Sequence, residues 1–467
     1  MHLVIIGNGI AGVTCARYVR RRQPDARITV VSDESDHHWA RTAAMYIYMG
    51  VLTYEQTKPY EDRFWAENRI ALVRDRVERV DPAAKRLGLR DGAPLSYDAL
   101  LIAAGSRPTY YDWPGQDLAG VQGLYGVGDL ATMEGATMDG DDPIARAVVV
   151  GGGLIGVEMA EMLRTRGIGV TFLVRERSYL QRVLPEPEGR MAEREIRRHG
   201  VDLRMETELR EILPDADGRA RAVVTTGGEE VPCRFVGLAT GVTPNVGFLD
   251  GSGIETARGV LVDRHFRTSA PGVYAAGDCA EFRDPLPGRR AVEQLWYTGR
   301  IHGATVAHTI CGEPRAYAPG LFFNSAKFFD VEYQTYGRID PEPPEGEATL
   351  HWEAPEGRRL LRLQYEAEGA RRVVGFNLMG VRYRHAVCAD WIRAGVGVEA
   401  VLTDLGAANF DPEFIAQCEG ALVDAYNARH GAAVRLQTRR GWRRWMARLP
   451  MNGTTAHRVS DSFAHLP

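Results

Sequence analysis

Cysteine is scarce in this 467-residue chain. The six present, Cys15, Cys233, Cys279, Cys311, Cys388 and Cys418, include no CxxC pair. That spacing excludes a neighbouring-dithiol relay and a metal knuckle built on adjacent thiols, and the plain reading is six small packing residues. Long hydrophobic runs are lacking too, since none approaches the roughly 18 apolar residues of a membrane span. The first apolar run begins at Leu3 and leads straight into glycines, so a secretory leader is not expected and a cytoplasmic protein is. A net charge of −4 gives no general attraction to nucleic acid. What remains, 45% hydrophobic and 25% charged residues with 51 glycines, is the composition of a folded globular protein, and the length calls for two or three domains.

The glycines are not scattered. LVIIGNGIAGVTCARYV, residues 3 to 19, sets a short apolar strand before Gly7, Gly9 and Gly12 and a helical pattern after them. In the GxGxxG spacing the glycines give a tight turn, close backbone approach to a pyrophosphate, and close packing of helix on strand. Ile10 and Ala11 open the helix, whose free NH groups and positive dipole end suit phosphate. The next strand, RITVVSDES, ends in acid, and Glu34, or Asp33 beside it, falls where a ribose-binding carboxylate is expected.

VVVGGGLIGVEMAEML, residues 148 to 163, repeats the device with Gly151, Gly153 and Gly156, and Leu154 and Ile155 open its helix. Its following strand has Val174 in place of the acid, then Arg175 and Arg177. Guanidiniums form charge-assisted forks with phosphate, worth roughly 1.5 to 3 kcal/mol each, which favours NADPH. The alternative leaves both arginines solvated and gives the NADH ribose to Glu176.

Two loops make sense if one site keeps a dinucleotide and the other exchanges one. Further motifs agree: YDALLIAAGSRP at 97 to 108, RFVGLATGVTPN at 234 to 245 and TSAPGVYAAGDCAE at 268 to 281. In this order they resemble the FAD-dependent pyridine nucleotide-disulfide oxidoreductase superfamily, and within it the NAD(P)H-dependent reductases of rubredoxin and ferredoxin. The resemblance covers about residues 1 to 310. It implies an α/β fold of two Rossmann-like dinucleotide-binding domains, like that of glutathione reductase, with an α+β C-terminal domain. The implied boundaries are 1–113 and 250–320 for FAD, 114–249 for NAD(P)H, 321–430 for the third domain and 431–467 for a basic tail.

The resemblance also implies roles. Gly7, Gly9 and Gly12 would cradle the FAD pyrophosphate and Glu34 hold the adenosine ribose, with Arg41 of WART beside the cofactor. Val77 would offer backbone groups to adenine. Ala104 and Gly105 match an ATG turn followed by Arg107, Asp278 of GDC would meet the ribityl chain, and Gly241 would belong to the NAD(P)H site. EQLWYTGRIHG would open a helix under the flavin, placing the Trp296 backbone where charge develops. Glu158 matches a glutamate that orients the nicotinamide or assists proton movement, although near a helix start it could equally be a surface acid favoured by the dipole. No metal site is expected, and His37 with His38 lacks further ligands nearby.

Many such enzymes pass electrons through a thiol. Here Ala43 stands at the thiol position and no cysteine occurs between Cys15 and Cys233, so thiol-disulfide exchange beside a flavin is excluded. Direct transfer to an outside acceptor remains: a small ferredoxin- or rubredoxin-like protein, a quinone or dioxygen. A different class is a redox-controlled assembly switch resembling apoptosis-inducing factor.

Beyond residue 320 the pattern turns α+β. RLLRLQYEAEG, with Leu361, Leu363 and Tyr365, faces RRVVGFNLMG, with Val374, Phe376 and Leu378, as a hairpin pair. Helices are expected around CADWIRAG and DPEFIAQCEGALVDAYNARHG. In relatives such a domain packs on the flavin domain or forms a homodimer contact. LFFNSAKFFDVEYQTYG, at 321 to 337, could line the acceptor side of the flavin or simply be core. In RLQTRRGWRRWMARL arginine and tryptophan interleave without an acid. Such a tail could meet an acidic carrier or an anionic membrane surface, or be a solvated charged end.

Overall fold

In this computed structural model, residues 1–414 and 417–437 are described, so the basic tail beyond Gln437 lies outside the described residues. The apolar runs that precede the glycines are buried from both sides, as strands in the middle of a parallel sheet must be. His2–Ile6 lies between Ala99–Ile102 and Arg27–Ser32, with Val273–Ala275 and Ile70–Arg74 outside them, all parallel. Arg146–Val150 holds the same central place in a second parallel sheet, between Phe235–Leu238 and Gly169–Leu173, flanked by Val121–Gln122 and Asp202–Arg204. The repeated sequence device is thus a repeated wind of chain.

Two crossings join these units side by side, where Ser106–Pro108 pairs antiparallel with Val242–Pro244. The helix Trp296–Ile310 returns to the first unit and packs on Ile10–Arg22. A Cβ on Gly303 would run into the Ala11 carbonyl, so the missing side chain is what lets the two helices approach and brings the Trp296 end beside the first glycine loop.

The third unit is an antiparallel sheet in the order Phe323–Phe328, Val331–Gly337, Val373–Met379, Leu360–Glu366, Glu347–Glu353. Its central pair has Leu361 opposite Leu378 and Leu363 opposite Phe376, but the register shifts between Gln364 and Tyr365, leaving Val374 as the extra residue, half-buried, while Val373 is buried. The helices are His385–Arg393, Val398–Thr403 and Glu419–His430. The last begins later than the pattern suggests, because the Asn409 side chain takes the Asp411 NH into a turn and Phe414 finds no apolar face to join.

The helix Glu186–Arg198 carries an arginine face, with Arg190 paired to Glu186 and Arg197 to Glu193. Glu188 on its other face is fully buried and is held by Arg362 of the third sheet at 2.6 and 3.0 Å, with Asn377 adding a bond of 3.3 Å. Breaking one partner of such a pair leaves a buried charge, so it fixes how the second and third units meet.

A candidate dinucleotide cavity

Both glycine loops open into one cavity of about 3690 Å3. In each loop the three glycines do different work. A Cβ on Gly7 (φ +106°) would run into the Ala103 carbonyl, and one on Gly151 (φ +112°) into that of Ala239. Gly9 and Gly153 face open space, and Gly12 and Gly156 lie against the carbonyls of Gly7 and Gly151, off the cavity wall. The helices that follow, Ile10–Arg22 and Leu154–Thr165, begin without a side-chain cap and without an acid in the first turn. Their NH groups and positive ends are left open to an anion. Two cradles of this form fit two dinucleotides.

Around the first loop the side chains already form a bonded set. Arg41 grips Glu34 with a fork of 2.9 and 2.6 Å, donates to the Tyr125 carbonyl and stacks on its ring at 4.3 Å. Asp33, by contrast, is exposed toward Arg76. Asp278 lies in the turn Gly277–Cys279, accepts from the Tyr125 hydroxyl at 3.2 Å, and is pushed up by burial. That hydroxyl also takes the Ser106 NH at 2.8 Å. Gln294 reaches Ser106 Oγ at 2.9 Å and the Val242 carbonyl at 3.2 Å, tying the EQLW segment to both crossings. Ile10, Ala11, Val77, Ala104, Gly105 and Arg107 line the same cavity, and Trp296 lines it as the first residue of its helix.

Around the second loop, Val174 is buried against Gly152 and offers no carboxylate. Arg175 lines the cavity but pairs with Glu176 at 3.1 Å, whereas Arg177 is exposed and not among the lining residues; Arg182 is. Leu154, Ile155 and Gly241 line it too. Glu158 reaches the wall, and its carboxyl is pushed up to about 7, first by burial and then by the Glu161 charge.

No cysteine lines the cavity. Ala43, the position matched to a relay thiol, is not among the lining residues, but its neighbours Thr42, Ala44, Met45 and Tyr46 are, and all six thiols are free, five of them buried. Burial pushes the Cys279 thiol up to about 12. Alkylation with a maleimide is therefore expected to leave the rate of flavin reduction unchanged, read by absorbance before and after thiol blocking; a parallel loss of thiols and rate would contradict this. His38 is buried against the Asn8 carbonyl at 2.8 Å, and burial lowers it to about 4. Among the described residues one trio has metal-ligand spacing, Glu195, His199 and Asp330, but Arg358 already pairs with both of its acids at 3.2 Å.

The family model for pyridine nucleotide-disulphide oxidoreductases matches residues 1–309. The chain belongs to that family. This oxidoreductase is 33% identical over 367 residues to the ferredoxin–NAD(+) reductase component of a biphenyl dioxygenase system from Paraburkholderia xenovorans (strain LB400), covering 78% of this chain and 86% of the relative. It is 31% identical to a ferredoxin–NAD(P)(+) reductase of a Sphingomonas species, over 72% of this chain and 80% of the relative. Its fold is shared with the ferredoxin reductase of the CYP199A2 system from Rhodopseudomonas palustris, at a TM-score of 0.72 and 23% identity over 81% of this chain and 91% of that one. The pyridine nucleotide-disulphide oxidoreductase described here is an enzyme that uses FAD and NAD(P)H. Among the described residues no helix is long and apolar enough to cross a membrane.

Three residues on the cavity wall, Tyr125, Gln294 and Lys327, escaped the sequence reading, as did Glu161, which is not among the lining residues. Gln294, Glu161 and Lys327 sit inside stretches singled out for other residues and Tyr125 sits in none, and their bonds appear only when segments distant in sequence meet. Glu161 alone was within reach, as an acid three residues beyond Glu158 on a helix.

Proposed function

We propose that this enzyme reduces a small iron–sulfur protein of the ferredoxin type, drawing on NAD(P)H through FAD without a thiol. The observation that carries the reading is the single cavity that joins both glycine loops and contains no cysteine. The ferredoxin reductases it resembles support the choice of acceptor over a quinone or dioxygen. Bound FAD supplies the step from paired to single electrons. In this reading residues 1–113 and 250–320 hold FAD and 114–249 bind NAD(P)H, while 321–430 form the acceptor side and a homodimer contact. Tyr125 and Ser106 fix Asp278, Gln294 sets the approach to Trp296, and the backbone at Trp296 faces developing negative charge with a helix dipole. Glu158 orients the nicotinamide. Six unpaired thiols fit a reducing cytoplasm. The tail from 431 onward, mostly outside the described residues, would attract an acidic carrier or an anionic surface.

Arg175 favours NADPH, since Val174 leaves no carboxylate for a free ribose hydroxyl. Arg175→Ala is expected to cut the preference for NADPH over NADH about tenfold, measured as the ratio of flavin reduction rates at equal low coenzyme. A wild-type preference for NADH would overturn the assignment and leave Glu176 as the ribose ligand. The acceptor is tested by reducing the enzyme anaerobically with NAD(P)H and then mixing separate samples with ferredoxin, rubredoxin, quinone or dioxygen. The fastest oxidation is expected from ferredoxin, and faster oxidation by quinone would reject it.

A further inference from the structure

Of 57 basic residues in the chain, only Lys58, Lys85 and Lys327 are lysines. Lys58 pairs with exposed Glu55 and Asp62. Lys327 alone of the three reaches the cavity. It projects from the strand Phe323–Phe328 of the third unit and donates to Glu161 at 2.6 Å, its ammonium 5.9 Å from the Tyr46 ring. Glu161 is 8% exposed in its side chain, its other carboxylate oxygen has no hydrogen-bond partner, and it sits three residues beyond Glu158 on the second glycine-loop helix. Residues three apart on a helix are neighbours on one face. Three separate segments of chain thus meet at one polar patch beside the second loop.

We propose that Lys327 is a positioning residue for the pyridine-nucleotide end of the cavity: by holding Glu161 it eases the ionisation of Glu158, so the third unit completes the site. The inference rests on the reading of Glu158 as the group that orients the nicotinamide. Two carboxylates on one buried helix face repel, and Glu161 is the charge that most disfavours ionised Glu158 after burial itself. An ammonium in hydrogen-bond contact with Glu161 offsets that repulsion. Tyr179 stays neutral, its hydroxyl pushed up by burial and donating to the Gly153 carbonyl at 3.1 Å. Tyr46 is half-buried and uncharged. The strands Gly169–Leu173 and Phe235–Leu238 behind the helix carry no ionisable side chain, and Arg146 is exposed at the outer end of its strand.

The test uses the holoenzyme and does not depend on turnover. In pH-difference infrared spectra, the protonated-carboxyl band that Glu158→Gln removes reports Glu158 alone. Its midpoint is expected to move up by about one pH unit in Lys327→Met, and to return in Lys327→Arg and in the double variant Lys327→Met with Glu161→Gln. The pH profile of anaerobic flavin reduction should shift with it while FAD content is unchanged. If Lys327→Met does not retain FAD, Lys327→Gln takes its place. A midpoint unmoved by loss of Lys327, or a double variant that stays shifted, overturns the proposal. Should Glu158→Gln be reduced at the wild-type rate, the orienting role of Glu158 fails, and the infrared midpoint still decides whether Lys327 controls it.

Discussion

Gly153→Glu is expected to give a yellow protein with its full complement of FAD, bleached normally by dithionite, that NAD(P)H at low concentration reduces at least about a hundredfold more slowly. The substitution is clean because Gly153 has an ordinary φ of −88° and no atom within 4 Å of an added Cβ, so the fold is not strained. What it adds is a carboxylate where the uncapped helix end offers its positive pole to a pyrophosphate, and a charge of the same sign as the ligand then takes the site. Gly151→Ala would be a poorer test, since φ of +112° and the Ala239 carbonyl make that position intolerant of any side chain. The mirror change, Gly9→Glu in the first loop, should instead give colourless protein. If Gly153→Glu were reduced as fast as wild type, the second loop would not be the coenzyme cradle.

Glu158→Gln should keep FAD and slow flavin reduction by about tenfold, the worth of one hydrogen bond to a charged group. It should also flatten the pH profile. A glutamate ordinarily titrates near pH 4.3; at about 7 this one forms its carboxylate only as pH rises through neutrality, so the wild-type rate climbs there. Glutamine has nothing to titrate. Stopped-flow reduction from pH 6 to 8 measures both effects, and an unaltered rate with an unaltered slope would remove Glu158 from the site.

How much of this was legible in the chain follows from the range of each interaction. Gly7 with Gly12, and Gly151 with Gly156, act within six residues on strand, turn and helix, so their spacing betrays them. Their third contacts, the carbonyls of Ala103 and Ala239, come from motifs that were also readable. The parallel sheets were legible for the same reason, because LVII and VVV can only be buried on both faces. Tyr125 was not, since its worth lies in meeting Asp278 across 153 residues. Arg177 looked equivalent to Arg175 in sequence, yet the strand ends at Leu173 and the chain bends at Glu176 and Arg177, and only Arg175 borders the cavity. Lys327 joins Glu161 across 166 residues, a pairing no local pattern announces. In the third unit a bulge at Val374, the residue left over between Gly375 opposite Gln364 and Val373 opposite Tyr365, moved burial from Val374 to Val373.

The most direct measurement is an anaerobic titration of the purified holoprotein after its thiols have been blocked with a maleimide. Added NAD(P)H should bleach the flavin band completely, and oxidised ferredoxin should then restore it at the rate seen without blocking. A protein that carries no flavin, or one whose bleaching or recovery disappears when its thiols are capped, would contradict the account of two dinucleotides exchanging electrons directly in one cavity.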